Sequence, residues 1–526
     1  IMASFTAFLV AFFVWYGNVP VWALTGSQIA QDLKASLSAG SHVFLPSDPA
    51  YANETTARWE ITAPPTYVVA VKPDSIVDVQ KVVNYASKNN VPFLATGGGH
   101  GYSNTLSALQ NGLSLDMGNF STIEINSTAN TMKIGGSVRG TSVIAALQNA
   151  GKEMPVGQCT CIGMTGFTLG GGIGPYSGLY GTASDSVAEI EMVTGTGEIL
   201  TVSQSQHPDL FWGMKGAGFN YGVVTAITYN VYNATNSGQA VNADMTFPGS
   251  LNGSVWELAR SFVGNHPKEL AITFSISYNA TLGEMAIVGN FIYAGPRTAL
   301  TSLIQPFLDL QPTLLNITSV PWKDVASSAL YGATNQGCAG SGVEYVPYSV
   351  NLYQIDVPSM IAVVNFMNAT MAATPDVQTA LVALAQYAPS GFQLHADAAS
   401  AFPYRDAVIF AQIDGFAFSA APVPALTKFG SEVRDLLHKG SGKTDLETYV
   451  HFANGDEGEA AWYTQGKLGS LKALKADYDP RSLFSFYNAV GRGSASAQTP
   501  NTPSAPTSPP ARPPSPSRNS TAPWPG

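Results

Sequence analysis

The chain has 526 residues, of which 45% are hydrophobic and only 11% charged, with a formal net charge of -10. That length exceeds what one hydrophobic core supports, so two or more domains are expected. Phosphate binding needs a basic face, and this charge balance excludes nucleic acid as an expected partner.

Residues 1–23 read as a signal peptide. An apolar run from Phe5 to Tyr16 precedes Val21-Trp22-Ala23, a small-x-small-like cleavage site. The run is shorter than the roughly 20 residues of a membrane span, which favours a secretory signal over an anchor although a basic n-region is missing. Asn-x-Ser/Thr sequons at Asn53, Asn119, Asn126, Asn233, Asn252, Asn279, Asn316, Asn368 and Asn519 agree with export and glycosylation. No other stretch is apolar for long enough to span a bilayer, so a secreted, extracellular, monomeric chain without a membrane partner is expected.

The body begins with "TYVVAVKPDSIVDVQKVVNYASKNNVPFLATGGGH". It reads as strand, helix and short strand running into a glycine loop. Val77, Val79, Val82, Val83 and Ala86 have helical spacing, and Asp74 or Ser75 can cap the helix. Short strands and a helix over Ser142 to Asn149 follow. From about 240 to 445, β-rich segments such as "LAITFSISYNATLGEMAIVGNFIYAG" alternate with helical ones such as "VPSMIAVVNFMNATMAA". Strands and helices are mixed without strict βαβ order, which predicts an α+β fold. Residues 494–526 are dominated by Pro, Ser, Thr and Ala and cannot build a core, so a disordered tail is expected.

Several familiar motifs are absent or incomplete. "GSGKT" at Gly440 to Thr444 lacks the first glycine of a phosphate loop, because Leu437 stands there. No G-x-G-x-x-G follows a strand, and no G-x-S-x-G elbow occurs. "HAD", His395 to Asp397, is a weak metal pattern that a solvated turn also explains. No metal is expected. The cysteines are Cys159, Cys161 and Cys338. Cys159 and Cys161 are too close to pair comfortably, so at least one thiol needs a role outside disulfide chemistry. Cys161 either pairs with Cys338 or stays free.

What stands out is a set of glycine-rich segments: "TGGGHGYS" from Thr96, "GQCTCIGMTGFTLGGGIGPYSGLYGTASDSV" from Gly157, and "DLFWGMKGAGFNYGVVTAITYNVY" from Asp209. Glycine loops expose successive backbone N–H groups, which form anion-binding nests suited to a pyrophosphate in a chain with few cations. In this order the segments resemble the flavin-binding domain of the vanillyl-alcohol oxidase superfamily, also called the PCMH-type domain, in its berberine-bridge-enzyme-like branch, which includes secreted fungal carbohydrate oxidases. The family's R/T-x-G-G-H loop matches Thr96, Gly97, Gly98, Gly99 and His100. Its G-x-C-x-x-V-G segment matches Gly157 to Gly163. Later blocks match Gly170 to Gly174 and Asp209 to Val224, and "AWYTQGKLGSLKALKADYDPRSLFSFYN" resembles the C-terminal flavin-contacting segment. The likeness covers roughly 55 to 490.

The resemblance implies an FAD-linked oxidase. It implies a flavin domain over 57–240, a substrate domain with an antiparallel sheet over 241–445, and a flavin-contacting segment over 446–493. It assigns His100 to the bond at the flavin 8α-methyl group and Cys159 to a second bond at C6. It further implies cofactor contacts at Thr96, Gly97, Gly98, Gly99, Gly101, Tyr102, Ser103, Gly163, Thr165, Gly166, Gly170, Gly171, Gly222, Val223, Val224, Tyr487 and Asn488. The implied reaction moves a hydride from an alcohol, sugar or related C–H substrate to the flavin, with molecular oxygen as the second partner and hydrogen peroxide as product. A secondary-metabolite oxidase and a flavin binder without turnover are the alternatives.

The catalytic base departs from the family pattern. "ASAFPYRDAVIFAQID" resembles its P-F-P-H-R strand with Tyr404 in place of histidine, and the family's glutamate position holds Ala399. In "TYVHF" the family's tyrosine is replaced by Phe452, beside His451. Candidates are therefore Asp397, Tyr404 and His451, with Asp397 ranked above His451 because two residues along an extended strand keep one face. Deleting Ser494 to Gly526 is expected to leave the thermal midpoint unchanged, since this composition buries no apolar area. A melting curve lowered by several degrees would show that the tail docks on the core.

Overall fold

The computed structural model describes residues 24–338 and 342–491; the expected signal peptide and the Pro-rich tail lie outside the described residues. The fold is α+β, with three principal sheets.

The first sheet contains the predicted strand–helix–strand unit, Tyr67–Lys72, Ile76–Asn89 and Phe93–Thr96. Ser75 is the cap, its hydroxyl accepting from the Asp78 N–H at 3.2 Å. Val79, Val82, Val83 and Ala86 are buried, whereas Val77 is 47% exposed. Residues two apart do not share a helix face, so Val77 does not belong to the stripe that Val79 starts. Gly112–Asp116 lies parallel between the two strands, and His42–Phe44 closes one edge antiparallel.

The second sheet is antiparallel, in the order Ile123–Asn126, Thr131–Gly135, Gly222–Asn230, Val187–Thr194 and Ile199–Ser203. The helix expected from Ser142 begins at Gly140 and runs to Asn149.

The third sheet has seven antiparallel strands, in the order Leu314–Pro321, Gln239–Pro248, Glu284–Tyr293, Leu270–Asn279, Leu381–Tyr387, Ile409–Ala417 and Glu344–Leu352. Its central strands alternate between two surroundings over most of their length. Ile272, Phe274 and Ile276, with Val382, Leu384, Ala411 and Ile413, pack in one apolar cluster with residues of the helices Asn252–Arg260, Arg297–Leu308, Val357–Ala373 and Val423–Lys439. The intervening Thr273, Ser275, Ser277, Ala383, Ala385, Gln412 and Asp414 line a cavity. A period of two thus divides each strand between core and site.

The chain end returns to the first half. Lys475 donates to the Asn220 and Phe484 carbonyls at 2.9 and 2.6 Å, and the Val490 N–H donates to Asn220 Oδ1 at 2.9 Å. Among the described residues no helix is long and apolar enough to cross a membrane.

The arginine of the P-F-P-Y-R stretch has a structural task. Arg405 meets Asp185 through both terminal nitrogens, at 3.0 and 2.8 Å, and also donates to the Phe392 carbonyl and Ser400 hydroxyl. Burial pushes the Asp185 carboxyl up, but Arg405 outweighs it and holds the group below its ordinary value. Removing one partner strands the other charge in the interior. Asp185→Ala is expected to lower stability by about 3–5 kcal/mol in a denaturant titration; a loss below about 1 kcal/mol would mean that water reaches the pair.

Candidate active site

Two glycine loops cross in backbone contact. A Cβ added to Gly98 would stand 2.4 Å from the Gly163 nitrogen, and one added to Gly97 would stand 2.6 Å from the Gly136 carbonyl oxygen. Only hydrogen fits at these positions, which explains the glycine run better than flexibility does. Gly99 adds a left-handed φ of 70°. The crossing brings His100 Nε2 to 3.8 Å from Cys159 Sγ.

Both residues line a cavity of about 1520 Å³. That volume exceeds the roughly 300–1,000 Å³ of a site for one small ligand. Thr96, Gly97, Gly98, Gly99, His100, Gly101, Tyr102, Cys159, Gly163, Thr165, Gly166, Gly222, Val223, Val224 and Tyr487 all line it. Ser103, Gly170, Gly171 and Asn488 do not. Ser103 donates to Asn488 Oδ1 at 2.6 Å, which ties the loop to the chain end from behind. A Cβ on Gly170 would strike the His451 ring, and one on Gly171 would strike the Phe402 ring. These four positions support the wall without forming it.

His100 is held by stacking. The Trp59 ring lies 4.5 Å from it, centroid to centroid, at 12°. Burial, with the Arg139 and Arg58 charges behind it, pushes the imidazole down to about 4, so it is neutral at pH 7. Burial pushes the Cys159 thiol up. Cys161 and Cys338 form a disulfide, and Cys159 is the free cysteine.

The three expected bases are distributed differently. Asp397 lies outside the cavity, its side chain 62% exposed and paired with Lys467 at 2.7 Å. Its segment forms a 3-10 turn over Asp397–Ala399, so the extended geometry that ranked it first does not occur. Tyr404 is buried with its hydroxyl donating to the Ala461 carbonyl, and it does not line the cavity. His451 does line it. Its Nε2 stands 3.1 Å from the Phe167 carbonyl, which can only accept, so Nε2 carries the proton. Nδ1 therefore accepts from the Tyr487 hydroxyl at 3.3 Å, and both ring nitrogens are engaged. Burial pushes this imidazole down to about 4.

A carboxylate that was not singled out occupies the site instead. Asp414 lines the cavity from the strand Ile409–Ala417, paired across the sheet with Leu381 and Pro347. Tyr345 donates its hydroxyl proton to Asp414 Oδ1. Gln412, two residues earlier, donates to the Tyr345 oxygen at 2.7 Å and to the Tyr102 oxygen at 3.1 Å. Because Gln412 donates into the Tyr345 oxygen, that phenol's own proton is directed to Asp414. Burial pushes the Asp414 carboxyl up to about 6, against the lowering effect of the Tyr345 hydrogen bond. A signal for Asp414 existed: Gln412 and Asp414 interrupt "VIFAQIDGFAF" with period two.

Comparison with known proteins identifies the class. Residues 67–203 match the family described as an FAD binding domain. The FAD-linked oxidoreductase azaL of Aspergillus niger is 37% identical over 457 residues, covering 85% of this chain and 95% of that protein. Among solved structures, BBE-like 1 of Physcomitrella patens aligns with a TM-score of 0.78 at 21% identity, over 89% of this chain and 99% of that one. The xylooligosaccharide oxidase from Myceliophthora thermophila C1 aligns with a TM-score of 0.77 at 19% identity, again over 89% and 99%. At these identities the two structures show the shared fold. The chain belongs to the FAD-linked oxidoreductases, and it is an FAD-binding enzyme.

The residues present fit that cofactor. The Thr165 hydroxyl and Arg58 Nε are buried at the cavity and have no hydrogen-bond partner among the described residues. A Cβ on Gly166 meets nothing within 4 Å, so that position opens onto free space. Gly98→Ala is expected to prevent the loop crossing and to lower both the thermal midpoint and the flavin absorbance per chain. Gly166→Ala is expected to keep the midpoint. Equal melting behaviour of the two variants would contradict the backbone-contact account.

Proposed function

We propose that this enzyme is a secreted, monomeric oxidase that removes hydride from the C–H of an alcohol, sugar or related hydroxylated substrate and passes the electrons to oxygen, giving hydrogen peroxide. We further propose that His100 and Cys159 hold the FAD covalently. The observation that carries the reading is one buried carboxylate, Asp414, in a cavity wide enough for cofactor and substrate. The structurally similar Myceliophthora thermophila enzyme, a xylooligosaccharide oxidase in complex with xylobiose, agrees with a hydroxylated substrate.

Bound FAD supplies the hydride acceptor and the route to oxygen. Oxidation of an alcohol leaves a carbonyl, so the hydroxyl proton needs an acceptor. Asp414 is that base in this reading. Tyr345 engages Oδ1, which fixes the carboxylate plane and leaves the second oxygen for the substrate proton. Tyr102 accepts from Gln412, so its own hydroxyl proton can anchor a substrate oxygen. His451 has both nitrogens engaged and serves to hold Tyr487 and the loop carrying Phe167. The cavity's neutral histidines leave Asp414 without a nearby imidazolium to stabilise its anion, which agrees with its raised value.

The competent form of Asp414 is the carboxylate. Flavin reduction is therefore expected to speed up as pH rises through about 6 and then level off. Asp414→Asn is expected to slow anaerobic flavin reduction by about 100- to 10,000-fold and to abolish that limb, while Asp397→Asn leaves the rate unchanged. Retention of the rate in Asp414→Asn would sink the assignment. A panel of alcohols and sugars, read by peroxide formation and flavin bleaching, tests the reaction class. For attachment, acid-precipitated protein is expected to stay yellow, with flavin mass on the His100 and Cys159 peptides. All flavin in the supernatant would refute a covalent link.

A further inference from the structure

Three sulfurs meet at the attachment point, and the proposed flavin link uses one of them. Cys159 Sγ lies 3.4 Å from Cys161 Sγ and 3.3 Å from Cys338 Sγ. The last two are bonded to each other. Cys159 is partly exposed to the cavity and carries a free thiol. Cys338 thus stands within reach of both cysteines of the C-T-C triplet. Its segment is also held by bonds other than the disulfide. The Gly337 carbonyl accepts from Trp59 Nε1 at 2.8 Å, and the Leu330 and Tyr331 N–H groups donate to Asp244 at 2.9 and 3.1 Å. These bonds seat the segment independently of the disulfide.

We propose that Cys338 is a shared partner: bonded to Cys161 it leaves Cys159 free for the flavin, and by exchange onto Cys159 it withdraws that thiol from flavin attachment. The consequence for the flavin rests on the covalent reading above; the exchange does not.

The step balances without an external oxidant. The Cys159 thiol gives its proton to water, and the thiolate attacks Cys338 Sγ. The Cys159–Cys338 bond forms as the Cys161–Cys338 bond breaks. The electron pair leaves on Cys161, which then takes up a proton. Cys159 lies beside the existing bond, at nearly equal distance from both sulfurs, so attack along the S–S axis requires the Cys338 side chain to turn. Burial pushes the Cys159 thiol up, so the thiolate is scarce at neutral pH and exchange quickens as pH rises. The existing cross-link therefore acts as a protecting group. It occupies Cys338 while the flavin reaches Cys159, and a thioether at Cys159 then removes the attacking thiol.

The test is non-reducing peptide mapping by mass spectrometry of the full chain. In Cys161→Ser, where no disulfide remains to exchange, oxidation of the two remaining thiols by dissolved oxygen is expected to give a Cys159–Cys338 linked peptide, with loss of flavin mass from the Cys159 peptide and its retention on the His100 peptide. A free or flavin-bearing Cys159 together with an unpaired Cys338 would overturn the proposal. If Cys161→Ser does not fold, wild-type protein produced under riboflavin limitation decides the matter. Held at about pH 9, it is expected to convert part of its Cys161–Cys338 peptide to Cys159–Cys338, while flavin-loaded protein does not. An unchanged map in the flavin-poor protein would also overturn it. Absence of flavin mass from wild-type Cys159 would defeat the attachment reading alone, since the disulfide maps still decide the exchange.

Discussion

Gly98 and Gly163 pass each other with no room for a side chain on either, and the arrangement of the site follows from that contact. The loop after Phe93–Thr96 and the segment after Val156 come from different parts of the chain, and their crossing sets His100 beside Cys159. Bulk at the crossing would push the loops apart and separate the imidazole from the thiol. Trp59 stacks on His100 from the far side, and its indole N–H reaches the segment that carries Cys338. Loop crossing, aromatic stack and disulfide thus form one continuous structure around the attachment point.

The seven-stranded sheet adjoins this cradle, with Gln158 donating to Thr273 and Gln412 donating to Tyr102, and its two faces answer different demands. One is covered by helices and carries Ile272, Phe274 and Ile276; the other is lined by small or polar residues such as Ser275, Ala383 and Gln412. Small side chains keep the cavity open, and the buried carboxylate of Asp414 sits among them. Burial raises that carboxyl to about 6 against the lowering effect of the hydrogen bonds from Tyr345 and Gln412. A base of that strength is charged at neutral pH yet remains a good proton acceptor.

The cofactor side was largely legible because glycine patterns mark backbone contacts, and backbone contacts stay close to their motifs. Thr96 to Tyr102, Cys159, Gly163, Thr165, Gly166 and Gly222 to Val224 all reach the cavity. The exceptions, Ser103, Gly170, Gly171 and Asn488, belong to the same motifs but pack behind them, a distinction that spacing does not carry. On the substrate side, Asp397 lies two residues from a motif position, and the argument for it assumed an extended strand. The chain turns there, and the exposed carboxylate pairs with the buried Lys467 outside the cavity.

Composition and local pattern by themselves determined the α+β class, a helix carrying Val79, Val82, Val83 and Ala86 with its cap at Asp74 or Ser75, the alternating strands and the glycine-rich loops, which the family resemblance then read as flavin-binding. Each depends on residues within a turn or two of one another. Tertiary structure alone decided that Cys161 bonds Cys338 and leaves Cys159 free, because those partners are 177 residues apart. It also decided that Asp414 and not Asp397 enters the cavity. Tyr345 bonds that carboxylate and Tyr102 bonds the neighbouring Gln412, each from a separate segment, and no local pattern encodes where separate segments meet.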